Sequence, residues 1–446
     1  MSQTIRIKKG LDIRLVGEAE KVTTSVASKV YAVKPTDFHG VVPKMMVKPG
    51  ENIKAGAPLF YSKEYPEIKF CSPVSGEIAE IRRGEKRRIL EIVILADDKI
   101  EYEEFKPSEG SAEEIKEVLL NSGLWPFFKR RPYDVVAWPT DQPVNLFISG
   151  FDTEALTADQ EFALRGEEKY FQKGLDILGK LINGPVYLGV HEKHNTEEIF
   201  RNATGVEIKT FSGPHPSGVV GIQINHVAPV NKGEVSWTIK PLGVVAIGKL
   251  FMEGKVDLSR TVAVGGSKIN KPQYVKSMYG AQVKNLVVDN IDREDTRLIS
   301  GGVLTGTQVS EDGFLGFYDN SLAAIPEGNQ TEFFGWLLPG LDKLSLSKTF
   351  LSWLMPLKPY DLNTNLHGEH RAIVMAGEYD KVFPMDILPE HLIKSFITKD
   401  LEKMEQLGVY EVAPEDFALC EFVCTSKLNL QEIVRDSLDL AIEELG

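Results

Sequence analysis

Leu146-Phe147-Ile148, then Glu167 to Leu181, Val186-Tyr187-Leu188-Gly189-Val190, Thr196 to Asn202 and Glu207-Ile208-Lys209-Thr210-Phe211 form the stretch on which the fold turns. The first, third and fifth segments are short and strand-like, whereas Glu167 to Leu181 carries apolar residues at helical spacing and Thr196 to Asn202 reads as a short polar helix. Strand, helix, strand, helix, strand is the order of a parallel sheet, a Rossmann-like α/β unit. Sheets of that kind often hold nucleotides, so a phosphate loop is the first thing to seek. No G-x-G-x-x-G occurs in the chain, which removes the usual dinucleotide fingerprint. Gly243-Val244-Val245-Ala246-Ile247-Gly248-Lys249-Leu250 comes within one residue of a P-loop, but Leu250 stands where a magnesium-binding hydroxyl is needed. Its four consecutive apolar residues predict a buried strand or helix instead of an open anion nest.

Upstream, Ile5 to Ile7, Val41 to Val47, Ile78 to Ile81 and Ile89 to Leu95 are short β-type runs broken by Gly and Pro, a compact all-β unit. Val47-Lys48-Pro49-Gly50-Glu51-Asn52-Ile53-Lys54-Ala55-Gly56-Ala57-Pro58-Leu59 sets a strand between two turns, and Cys71-Ser72-Pro73-Val74-Ser75-Gly76-Glu77-Ile78 repeats the pattern. Together they resemble the halves of a biotinyl/lipoyl-type barrel-sandwich domain. Carriers of that type present a modified lysine on the intervening hairpin; here Tyr61 to Phe70 has Pro66 and no Met-Lys pair, so a structural module is expected, with Lys63 or Lys69 serving the carrier alternative. An acidic join, Asp97 to Glu104, leads to Ser111-Ala112-Glu113-Glu114, which reads as a capped helix start with Gly123 as its stop. Residues 261 to 330 return to short strands with Gly turns, and Pro389 to Gly446 is helical, notably Leu430 to Leu445.

Composition bounds the function. The 446 residues carry 64 acidic against 51 basic side chains, a formal charge of -13, so the field repels phosphate backbones and nucleic acid is not an expected partner. Hydrophobic residues at 42% and charged ones at 26% exclude wholesale disorder. Three cysteines make no disulfide scaffold. Met1 to Leu15 alternates apolar and charged residues without a signal-peptide core, and Leu242 to Phe251 and Trp336 to Leu341 are far short of the roughly 20 apolar residues of a membrane span. A cytoplasmic protein is expected, with any membrane association peripheral or through a partner.

The chemical motifs are sparse. His191 with His194, and His367 with His370, have ligand-like spacing but lie in polar loops without a clear third ligand. Cys420 and Cys424, with Cys71 remote, fall short of the four ligands of an iron-sulfur cluster or structural zinc. No G-x-S-x-G elbow suggests a hydrolase. Leu124-Trp125-Pro126-Phe127-Phe128-Lys129-Arg130-Arg131-Pro132 joins aromatics to cations and reads either as a packed loop or as a partner or lipid surface.

Longer phrases go further. Phe211-Ser212-Gly213-Pro214-His215-Pro216-Ser217-Gly218, Arg260-Thr261-Val262-Ala263-Val264-Gly265-Gly266, Leu298-Ile299-Ser300-Gly301-Gly302-Val303-Leu304-Thr305-Gly306, Phe314-Leu315-Gly316-Phe317-Tyr318, Ile325-Pro326-Glu327-Gly328 and Val382-Phe383-Pro384-Met385-Asp386-Ile387-Leu388-Pro389 look like the A subunit of the sodium-translocating NADH:quinone oxidoreductase, the NqrA family. The resemblance runs in order over residues 1 to 446 and implies a peripheral subunit, on the cytoplasmic face of the cell membrane, of a complex that couples NADH oxidation and quinone reduction to sodium export. In that family FMN, FAD, riboflavin and the iron-sulfur centres belong to sibling subunits; this subunit is cofactor-free, contacts the membrane subunits, with the B and C subunits as expected partners, and is linked to quinone binding.

More distantly the chain is similar to the flavin subunit of respiratory complex I and the C subunit of the Rnf complex. Those relatives carry a glycine-rich loop after Ser-Gly-Leu, whereas Ser122-Gly123-Leu124 is followed here by Trp125, Pro126, Phe127 and Phe128, which argues against flavin. Where the Rnf-type relative ends its cysteine runs in Val-Cys-Pro, this chain has Val382-Phe383-Pro384 and Val423-Cys424-Thr425. The resemblance therefore implies four units: residues 1–105, a barrel-sandwich-like β domain; 106–258, a Rossmann-like α/β domain; 259–330, a β-grasp domain of the soluble-ligand-binding type, whose Gly265, Gly266, Gly301 and Gly302 suit positive-φ turns; and 331–446, a mostly helical, ferredoxin-like remnant without clusters. No catalytic, cofactor-binding or metal-ligating residue is assigned. The aromatic segment Trp125 to Phe128 and the apolar Phe333 to Pro339 read equally as packed segments or as surfaces that meet membrane subunits. The alternative is a soluble electron-transfer protein that binds flavin or nicotinamide itself.

Overall fold

The structure, a computed structural model, describes residues 4–26, 28–193, 198–329, 334–335 and 337–446. At its centre is a seven-stranded sheet in the spatial order Ile5–Arg6, Glu207–Ser212, Val186–His191, Asn145–Ser149, Ser236–Thr238, Lys129–Arg131, Val135–Val136. The first five strands run parallel, with Leu146 opposite Val186 and Leu188 opposite Ile208; Lys129–Arg131 pairs antiparallel with both of its neighbours, Ser236–Thr238 and Val135–Val136. Strand and helix bounds follow the periodicity closely, with helix Glu168–Leu181 as the first crossover; the second is described only as Glu198–Arg201, Thr196 and Glu197 lying outside the described residues.

The P-loop-like segment is part of a helix, Pro241–Glu253, buried along most of its length. Its glycines serve packing. A Cβ on Gly248 would stand 1.8 Å from the Tyr170 carbonyl oxygen, and one on Gly174 would stand 2.1 Å from that of Val244, so the two helices touch backbone to backbone.

Ser111 caps helix Ala112–Asn121 by accepting a hydrogen bond from the Glu114 amide at 3.2 Å. That helix stops at Gly123, where φ is +74° and a Cβ would meet Cys71 Sγ at 2.6 Å. The glycine thus ends a helix and seats the β unit at once. The β unit itself is two antiparallel sheets, Val30–Val33 with Ile89–Ala96, Gly76–Arg83 and Asn52–Ile53, and Pro43–Met45 with Pro58–Ser62 and Lys69–Cys71. Leu59, Phe60, Phe70, Ile78 and Ile92 are buried between them and continue into the α/β core.

Two N-terminal strands depart from the sequence reading. Ile5–Arg6 does not join the β unit: it extends the parallel sheet, with Ile5 opposite Phe211. Glu20–Ser25 is the edge of a six-stranded sheet with Gln273–Met278, Ser259–Gly265, Ser321–Pro326, Thr296–Ser300 and Thr307–Val309. A two-residue strand has no periodicity to read, and its partners lie 200 residues away in the chain. Helices Pro389–Thr398, Leu401–Gln406, Ala418–Val423 and Leu430–Leu445 close the chain around Leu392, Phe396, Phe417 and Leu438, a core shared with Ile7, Phe211 and Ile222 of the α/β unit.

Candidate functional site

Parallel strands all point one way, so the residues that follow them collect at one edge of the sheet. Here those residues are Lys8, Asp152 and Thr153, His191 to Lys193, and Ser212 and Gly213; with Arg6, Ile7, Asp12 and Arg14 they line an open crevice of about 720 Å³. Its floor is backbone: a Cβ on Gly213 would stand 2.1 Å from the Ile7 carbonyl oxygen. Behind it His215 is 3% exposed; its Nδ1 lies 3.1 Å from the Thr153 hydroxyl, which also accepts from the Gly218 amide at 3.0 Å. Burial pushes the His215 pKa down to about 4, so the ring is neutral near pH 7. Asp12 accepts from the His215 amide and Asp152 from the Glu154 amide, each at 2.9 Å. Glu154 crosses to the six-stranded sheet, where its carboxylate accepts from the Leu304 and Thr305 amides and the Thr305 hydroxyl. Burial, with Asp152 nearby, pushes its pKa up to about 7.

The remaining sequence candidates lie elsewhere. Trp125, Phe127 and Phe128 are buried: Trp125 donates its indole N–H to the Ala137 carbonyl at 2.7 Å and meets Trp237 edge-on at 5.3 Å, and Phe127 packs on Phe317 at 4.7 Å. The segment is therefore a packed loop, the first of its two sequence readings, and the second, a surface toward partners, is corrected. Burial decides this, and the sequence did not reveal the facing aromatics Trp237, Tyr279 and Phe317. Arg130 stacks on Trp138 at 3.5 Å, while Arg131 turns inward to Asp416 at 3.1 Å. A cavity beside this block, lined in part by Val33, Asp37, Tyr279 and Phe317, has about 10 Å³, room for one water.

His191 closes the strand Val186–His191, its ring 5.2 Å from Phe151; its sequence partner His194 lies outside the described residues. His367 and His370 are exposed. Cys420 and Cys424 are buried in the C-terminal core, the Tyr379 hydroxyl 2.9 Å from Cys424 Sγ, and burial holds the Cys420 thiol well above its usual range. Phe383 is buried there too, 4.8 Å from Phe417. Among the described residues no three His, Cys, Asp or Glu side chains converge on a metal-sized point. Lys69 donates to Asn121 at 2.7 Å, and Lys63 is exposed at the hairpin. Of the four glycines expected in positive-φ turns, Gly266 (+113°) and Gly301 (+97°) are so placed, but Gly265 and Gly302 are not. Gly302 is needed for another reason, since a Cβ would fall 2.2 Å from the Glu154 carboxylate.

Phe334, Leu337 and Leu338 are exposed, while Phe333 and Trp336 of the same phrase lie outside the described residues. Exposure continues through Leu341, Leu351, Trp353, Leu354 and Leu357. Among the described residues no helix is long and apolar enough to cross a membrane.

Three family models match the chain: the NqrA N-terminal barrel-sandwich hybrid domain over residues 5–97, the NqrA second alpha/beta domain over 110–256, and the NQRA C-terminal domain over 261–311. Two proteins named as the A subunit of the Na(+)-translocating NADH-quinone reductase, one from Yersinia pestis bv. Antiqua and one from Neisseria meningitidis serogroup A, are each 36% identical to it, covering 99% of this chain and 100% of theirs. A solved NAD+-reducing nickel-iron hydrogenase covers 42% of this chain, and is itself covered over 41%, at 14% identity with a TM-score of 0.32.

Proposed function

Because the chain belongs to the family of A subunits of the Na(+)-translocating NADH-quinone reductase, we propose that it is the peripheral subunit of such a complex, on the cytoplasmic face of the membrane, without catalysis of its own. The observation that carries this is a likeness that runs the whole length of both chains. FMN, FAD, riboflavin and the iron-sulfur centres sit in sibling subunits in this proposal. Two features support a cofactor-free chain. Trp125 to Phe128 fill the space after Ser122-Gly123-Leu124 with packed rings, and Phe383 occupies a core position with a side chain that cannot ligate iron. In the same reading residues 259–330 are a β-grasp module, and the C-terminal helices are a ferredoxin-like scaffold without clusters.

The B and C subunits are the proposed partners, and the exposed apolar stretch from Phe334 to Leu357 is the surface offered to them. Quinone contact belongs to that boundary. A quinone head needs an apolar slot with donors, whereas the apolar cavity by Phe317 has room for one water and the large crevice is lined by charge. Among the described residues the crevice favours the alternative, a soluble flavin- or nicotinamide-binding electron carrier. Tagging the chain, solubilising native membranes in mild detergent and assaying sodium-stimulated NADH:quinone reduction decides between them. Co-purification with active flavin-bearing partners, together with a colourless isolated chain, is the expected result; a chain that elutes alone with a flavin or iron spectrum overturns it.

A further inference from the structure

The crevice carries more than subunit membership. Four side chains on it are cationic, Arg6, Lys8, Arg14 and Lys193, drawn from the N-terminal segment and from the loop after Val186–His191. Among the described residues none of the four takes part in an ion pair. Three carboxylates share the lining, Asp12, Asp152 and Glu192, all exposed like the cations; Asp12 and Asp152 each accept a backbone amide, and none of the three lies within ion-pair distance of the four cations. In a chain of net charge -13, four cations free of ion pairs in one concave place outnumber the three carboxylates beside them and offer an anion the donors that the acidic chain as a whole does not. The volume, about 720 Å³, falls in the range of small-molecule sites, roughly 300–1,000 Å³. Its position, outside the carboxyl ends of parallel strands, is where open α/β sheets bind ligands.

We propose that this crevice is a binding site for a soluble, phosphate-bearing small molecule of the diphosphate class, held by Arg6, Lys8, Arg14 and Lys193. Guanidinium forks and ammonium groups match phosphate oxygens in charge and donor geometry. The site needs no glycine loop, because side-chain cations do the work that backbone amides do in a nucleotide fingerprint. Such a ligand is an effector, and no redox step is assigned to it. The proposal does not depend on membership of the complex.

The purified full-length chain is titrated calorimetrically with inorganic pyrophosphate, ADP and dioctanoyl phosphatidic acid at low and at physiological salt. Pyrophosphate or ADP is expected to bind, more weakly as salt rises, and the Arg6→Gln/Lys8→Gln/Arg14→Gln variant to lose about tenfold or more in affinity. Lys193→Gln, on another element, provides an independent variant and is expected to weaken binding in the same direction. Three results overturn the proposal: no binding of pyrophosphate or ADP up to about 10 mM, binding unchanged in both variants, or binding of the phosphatidic acid alone. These readings use the isolated chain, so they stand or fall separately from the co-purification of partners.

Discussion

His215 and Glu154 sit a few residues apart in space and titrate in opposite senses. A buried imidazole held down to about 4 leaves the unfolded chain to take up the proton first. Its contribution is complete above about pH 6.5 and is lost as pH falls toward 4, roughly 3 kcal/mol over the full window. Glu154 is the reverse, since its carboxyl is pushed up to about 7 and the folded state holds the proton more tightly. That contribution is present below the ordinary glutamate pKa and is lost as pH rises through about 7. Between about pH 4.5 and 6.5 the two slopes oppose each other. Urea midpoints measured across that window should therefore fall with rising pH in His215→Gln and rise with it in Glu154→Gln. Equal pH profiles for the two variants would show that neither group is perturbed as the structure indicates.

At the scale of the element, helix pair Glu168–Leu181 and Pro241–Glu253 depends on glycine at defined points. Alanine is favoured over glycine in a helix by up to about 1 kcal/mol, but at Gly248 the added carbon meets a backbone carbonyl at 1.8 Å, which cannot swing aside. Gly248→Ala should destabilise by about 1–3 kcal/mol, the cost of overpacking. Gly179, exposed on the partner helix, has nothing within 4 Å of such a carbon. Gly179→Ala should accordingly stabilise by about 0.5–1 kcal/mol. Thermal unfolding of the two variants checks the opposite signs. This also accounts for the near-miss P-loop: its glycines lie in a buried helix, and Gly248 serves helix contact, which the local sequence does not distinguish from phosphate binding.

Across the whole molecule, one buried ion pair ties the α/β sheet to the C-terminal helices. Arg131, on the strand Lys129–Arg131, reaches Asp416 at 3.1 Å and Glu415 at 2.9 Å. Burial pushes the Asp416 carboxyl up against the pull of the arginine, and its oxygen also takes the Ala413 amide at 2.7 Å. A Cβ on Gly221 would stand 2.1 Å from that carboxylate, so the helix Val220–Val227 closes over it. Arg131→Ala strands a buried charge and should cost about 3–5 kcal/mol, with hydrogen exchange accelerating first in Leu430–Leu445. Adding Asp416→Asn should recover part of that loss by removing the orphaned charge. If the double variant is no more stable than the single one, the pair is not what joins these units.

The sequence alone settles whatever is written locally. The strand-helix-strand rhythm from Asn145 to Phe211, the Ser111 cap and the paired turns of the β unit rest on contacts between near neighbours, and the family phrases rest on residue order alone. What was decided by tertiary structure depends on groups far apart in the chain. Ile5–Arg6 finds its partner at residue 211, Trp125 is buried by Trp237, and Gly302 makes room for Glu154. The crevice belongs to the second kind. Its cations come from segments nearly 200 residues apart, with no local pattern to mark them, and they meet because parallel strands deliver their carboxyl ends to one edge of a sheet.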